Sequence, residues 1–111
     1  MSRSHTERAA DILSAIQTIE RFDALATTAT DGVTIEAALD GICYHIIVIG
    51  EAVKSLDSTF TQSYPSVPWS AIARMRDLIT HQYHRRDFTV VKATIGEPLR
   101  ALKTALREGP R

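Results

Sequence analysis

"IEAALDGICYHIIVIGEAVKSL", running from Ile35 to Leu56, is the stretch whose reading decides the fold. Ile35, Leu39, Ile42, Ile46, Ile49, Val53 and Leu56 alternate steps of four and three residues. On a helix of 3.6 residues per turn, those steps draw one unbroken apolar seam that packs along its whole length against neighbouring helices. Gly41 and Gly50 interrupt good helix formers at roughly 1 kcal/mol each relative to Ala, and close approach of another helix is the compensation they suggest.

Working outward, the preceding segment repeats the pattern. Ile12, Ile16 and Ile19 recur at i, i+4 and i+7, with Leu13 and Phe22 widening the stripe, until "ATTATDG" (Ala26 to Gly32) favours a turn. On the other side, "DSTFTQSYPSVP" (Asp57 to Pro68) reads as a loop. Ser66 is the expected cap of a third helix, and Pro68 is tolerated in its first turn. That helix carries Trp69, Ile72, Met75 and Ile79. Asp87 is the expected N-cap of a fourth helix, in which Phe88, Val91, Ile95, Leu99, Leu102 and Leu106 share a face. Gly96 and Pro98 should kink or split it, because proline lacks an N–H and clashes with the preceding turn. No alternating strand pattern is present. The expected architecture is all-α, an antiparallel bundle of four main helices forming a single domain over residues 1–111.

Composition narrows the function. Apolar residues make up 44% and charged residues 23%, ordinary for a globular chain, so disorder is not expected. The formal net charge is zero, whereas a domain that coats nucleic acid by electrostatics alone is strongly basic. Any nucleic-acid role must then rest on a local site. Cys43 is the only cysteine, which excludes an internal disulfide and a thiolate zinc site and suits a reducing cytoplasm. The N-terminal "MSRSHTERAADIL" lacks the apolar core of a signal peptide, and the uninterrupted apolar run Ile46 to Ile49 is too short to span a bilayer, so no membrane association is expected.

One stretch stands out against this neutral background. "ARMRDLITHQYHRRD" (Ala73 to Asp87) gathers four arginines, two histidines and a tyrosine. Asp77 and His81 fall one helical turn apart, so the carboxylate can accept the imidazole N–H and fix its tautomer, with Arg74 and His84 extending the polar stripe. Arg76 instead falls among Trp69, Ile72, Ile79 and Tyr83 on the apolar arc. A guanidinium placed there needs a carboxylate, a partner chain or a ligand phosphate to offset its desolvation. Imidazole exchanges protons near neutral pH, and guanidinium presents a planar charged fork to phosphate oxygens. Together they suit metal-free RNA cleavage: His81 takes the proton of a 2′-hydroxyl while Arg76 stabilises the added negative charge. Five residues turn a straight helix by about 140°, so either the arginine reaches round or two chains complete a shared cleft.

The chain also resembles a known family. "RDLITHQY" (Arg76 to Tyr83) reads as R-x4-H-x-Y, the signature of the HepT-like branch of HEPN-domain ribonucleases. "IGEAVKSL" (Ile49 to Leu56), "YPSVPWSAIARMRD" (Tyr64 to Asp77) and "IGEPLRAL" (Ile95 to Leu102) extend the similarity over most of the chain. The resemblance implies an all-helical homodimer, the toxin of a two-gene toxin–antitoxin pair. It implies an RNase that uses neither metal nor cofactor, with its site in a cleft at the dimer interface. Arg76 and His81 would be catalytic, with Asp77 supporting them. A minimal nucleotidyltransferase antitoxin (MNT type) would adenylylate Tyr83, blocking RNA by bulk and charge. Many relatives carry asparagine after the arginine where this chain has Asp77, whose charge could orient His81 or repel substrate phosphate.

Plainer readings stand beside these. His81 also suits a helix C-terminus, where the dipole favours a cation. Arg76 could be a salt-bridge residue, for instance to Glu51, and Glu51 and Lys54 could pair with each other or buttress Arg76. Tyr83 could be core with its hydroxyl at the surface. His84, Arg85 and Arg86, together with Arg74, read either as an RNA-backbone contact or as a charged turn. His81 and His84 lack a convincing third metal ligand. The competing function is a non-catalytic helical adaptor that binds a nucleotidyltransferase or a nucleotide; a bare dimerisation module would leave the motif superfluous.

Overall fold

A computed structural model describes residues 3–82 and 88–110, the side chains of residues 82, 88–90, 93 and 94 excepted. It is an antiparallel, all-helical bundle with no strand among the described residues. The helices are α1 (His5–Thr28), α2 (Gly32–Lys54), α3 (Ser58–Gln62), α4 (Trp69–Gln82) and α5 (Phe88–Glu108).

Each long helix begins or packs as its local chemistry dictates. Ser4 and Glu7 form a reciprocal capping box at the start of α1, satisfying two N–H groups that the first turn leaves unpaired. Asp31 caps α2, accepting from the Thr34 backbone N–H at 2.9 Å and from its hydroxyl at 2.7 Å. Ala29, Thr30 and Asp31 therefore suffice to turn the chain from α1 into α2, and the two helices pack against each other along their length.

The α2 seam is the centre of the molecule. Leu39, Ile42, Ile46, Ile49 and Val53 are buried on the helix, and Leu56 is buried just beyond it, while Ile35 at the first turn is half-buried. Ile42, Ile46, Ile49, Val53 and Leu56 meet Ile12, Ile16 and Ile19 of α1 together with Ile72, Met75 and Ile79 of α4. From α5 come Val91, Ile95, Leu99 and Leu102. By length and composition α2 could also cross a membrane; in the bundle its apolar seam is covered by protein instead. Gly41 sits where an added Cβ would lie 2.5 Å from the Phe22 ring of α1, so the expected close helix approach is real at this position.

Two local expectations differ from the structure. The stretch read as a plain loop contains α3, capped by Asp57, which accepts from the Phe60 N–H at 2.9 Å. Five residues are too few for a periodic signal; Phe60, Tyr64 and Trp69 hold the turn by ring contacts, and the Trp69 indole N–H donates to the Thr61 carbonyl at 3.0 Å. Ser66 is not the cap of α4: the Pro68 carbonyl accepts from Ile72 N–H at 3.1 Å, which places Pro68 at the N-cap itself. Of the two outcomes expected at Gly96 and Pro98, a kink or a split, the split does not occur: α5 runs through Pro98 as one helix. The proposed Asp87 cap lies outside the described residues.

Candidate active site on the fourth helix

The local geometry of α4 follows from its apolar spacing. Ile72, Met75 and Ile79 point into the core, each under 4% exposed. Arg76 follows Met75 directly and is therefore carried to the edge of that core, on the side facing α2. What receives it there is Gly50. A Cβ at Gly50 would collide with Cβ and Cγ of Arg76, so the bare α2 backbone is what makes room for the arginine stem.

The guanidinium is held at both ends. Its Nη2 donates to Glu51 Oε1 at 2.5 Å and its Nη1 to Asp77 Oδ1 at 3.1 Å. The same Asp77 oxygen accepts from Lys54 Nζ at 3.3 Å. Four charges thus alternate along one surface row: Glu51, Arg76, Asp77, Lys54. The hydrogen bond from Arg76, then that from Lys54, holds the Asp77 carboxyl below the usual carboxylate range. The bond to Asp77 and, after it, the nearby Glu51 carboxylate make the Arg76 guanidinium still harder to deprotonate, against the opposing effect of burial. The Arg76 side chain keeps 27% exposure, while its Nε is buried and finds no partner among the described residues. The stem is sealed and the tip is open.

The other motif residues are placed differently. His81 is exposed in the last turn of α4, and Arg74 is exposed beside Leu78 on the outer face. No described hydrogen bond joins Asp77 to His81; the carboxylate expected to orient the imidazole is engaged by Arg76 and Lys54 instead. Nor does the arginine reach round its helix toward His81, since its head is tied to Glu51 on α2. The plainer reading of Arg76 as a salt-bridge partner of Glu51 therefore describes this chain's own contacts. Tyr83, His84, Arg85 and Arg86 lie outside the described residues.

Sequence reasoning missed two partners. Lys54, which the sequence allows either to pair with Glu51 or to buttress Arg76, does the second through Asp77, a contact the sequence does not name. For Gly50 the sequence predicts close helix approach but not the Arg76 stem that fills it, and only the spacing of Gly50, Glu51 and Lys54 along one side of α2 points to a shared role.

Comparison with known proteins gives the family. The profile of the family described as "Ribonuclease HepT-like" matches residues 12–108. A protein of Thermococcus cleftensis named "Probable ribonuclease HepT" is 34% identical over 110 residues, covering 93% of each chain. One of Caldanaerobacter subterraneus named "Putative RNase TTE0752" is 36% identical over 61 residues, covering 55% of this chain and 54% of that protein. No solved structure matches the chain significantly. A family match that takes in most of α1 and the whole of α2, α4 and α5, with Arg76 and His81 inside it, establishes that this chain belongs to the HepT-like ribonuclease family.

Proposed function

We propose that this protein is an endoribonuclease toxin that cleaves RNA without a metal ion. The observation that carries the reading is an arginine with a sealed stem and an accessible head, on the same helix as an exposed histidine, in a chain of the HepT-like ribonuclease family. His81 removes the proton of a ribose 2′-hydroxyl, and that oxygen attacks the adjacent phosphorus. The bond to the 5′-oxygen breaks, the imidazolium returns its proton to that oxygen, and a 2′,3′-cyclic phosphate and a 5′-hydroxyl remain. Arg76 stabilises the negative charge that builds on the non-bridging oxygens. Arg74, His84, Arg85 and Arg86 would bind flanking phosphates.

In one chain Arg76 is directed toward α2, and five residues separate it from His81. A homodimer that sets the His81 of one copy opposite the Arg76 of the other resolves this. Neutralisation follows if a nucleotidyltransferase partner transfers AMP to the Tyr83 hydroxyl, releasing pyrophosphate from ATP and placing a bulky anion beside the cleft. A second reading, a helical adaptor that cuts nothing, is favoured by the carboxylates already occupying Arg76.

Cleavage of labelled RNA in EDTA separates the two. Unmodified wild type should cut, leaving cyclic phosphate ends. His81→Ala and Arg76→Ala should fall by about 10²- to 10⁴-fold with unchanged circular dichroism. Folded, unmodified wild type that cleaves no RNA would favour the adaptor.

A further inference from the structure

We propose that Glu51 is a positioning residue for Arg76, acting through the arginine and touching no substrate; the inference rests on the ribonuclease reading above. Three observations on α2 converge. Gly50 lets the α2 backbone sit against Cβ and Cγ of Arg76, which fixes the stem. The next residue, Glu51, takes Nη2 from the far helix, 25 positions away in sequence. Four residues after Gly50, Lys54 holds the Asp77 carboxylate that takes Nη1.

The guanidinium is therefore a clamped donor rather than a swinging surface arginine. Of its five N–H groups, one is on the buried Nε and two are given to carboxylates, leaving one on each terminal nitrogen for a phosphate oxygen. Two carboxylates against one arginine would ordinarily repel a phosphodiester. Lys54 brings the row of four charges to net zero, so Arg76 is held without a net negative field around it. A donor fixed before substrate arrives needs no reorganisation as charge develops, which is where preorganised groups act most strongly.

The opposite possibility is that Glu51 competes with phosphate for Arg76, and the two diverge under substitution. A positioning role predicts that Glu51→Ala lowers kcat by about 10- to 100-fold with little change in KM. Glu51→Gln, which keeps an oxygen acceptor but not the charge, should recover much of that loss. A competing role predicts the reverse, with faster cleavage and a lower KM in both variants, and overturns the proposal. Unchanged kcat in a folded Glu51→Ala protein overturns it too. Cleavage lost in Arg76→Ala but intact in Glu51→Ala sinks this inference alone; cleavage that survives Arg76→Ala sinks the ribonuclease reading of Arg76 along with it. An independent readout is the side-chain NMR of 15N-arginine-labelled protein, with Arg76 assigned by its absence in Arg76→Ala. Slow guanidinium rotation should persist in wild type and Glu51→Gln and vanish in Glu51→Ala. Free rotation in wild type overturns the proposal whatever the RNA assay shows.

Discussion

At Gly50 a single methyl group would land on the first two carbons of the Arg76 side chain, and these cannot swing aside as a flexible tip could. Because rotation about χ1 leaves Cβ in place, α4 must move off α2. Gly50→Ala should therefore cost about 1–3 kcal/mol in urea unfolding and displace the guanidinium from Glu51. Gly96 is the informative contrast, because nothing lies within 4 Å of a Cβ built there. Helix propensity then acts alone, and Gly96→Ala should raise stability by about 0.5–1 kcal/mol. Equal losses in both variants would mean that helix approach at Gly50 is not what selects glycine. Along α2 the sequence pattern flags Gly41 and Gly50 alike, yet one faces a Phe22 ring and the other an arginine stem.

The first three helices, α1, α2 and α3, begin on acidic or hydroxyl caps, and that ties their ends to pH. The Asp31 carboxyl is held below its ordinary value by the Thr34 hydroxyl and then the Thr34 N–H. Asp57 is held low first by its bond from His5, at 2.9 Å, and then by the Phe60 N–H. Glu7 is lowered by the Ser4 N–H and hydroxyl. A depressed carboxyl supplies stability that is complete above its unfolded pKa, near 4, and is lost as pH falls through the folded value. The melting temperature should thus be insensitive to these groups from pH 7 to 5 and drop below about pH 4. Asp31→Asn keeps a good cap that does not titrate, so its loss in melting temperature between pH 6 and 3 should be smaller than that of wild type. An identical loss would remove Asp31 from the account. The long helices were legible because each carries several turns of periodic burial; α3 was not, because it has one turn and is held by tertiary ring packing.

Across the whole molecule, α2 is the hub: it packs against α1, α4 and α5, and it presents Gly50, Glu51 and Lys54 to the motif helix. If the active cleft is shared between two copies, catalytic groups from different chains must complement. Co-expressed Arg76→Ala and His81→Ala chains form mixed dimers in about half of all cases, each with one restored cross-chain pair, so roughly a quarter of wild-type cleavage should return. A site built within one chain would stay inactive in the same mixture, since no chain then carries both residues.

Taken alone, the sequence determined the helical class, the central seam from Leu39 to Leu56, the burial of Ile72, Met75 and Ile79, and the motif stretch as the place to look for chemistry. Each of these is a local property, set by a 3.6-residue repeat or by residue types a few positions apart. Only the tertiary structure decided who partners whom: Arg76 with Glu51 across the helix interface as well as with its neighbour Asp77, one of several partners the sequence left open, Asp77 with Lys54 rather than with His81, and Gly50 against the arginine stem. Such pairings depend on the crossing geometry and relative register of α2 and α4, which arise from how whole side-chain ridges interdigitate, and no local repeat in either helix specifies them.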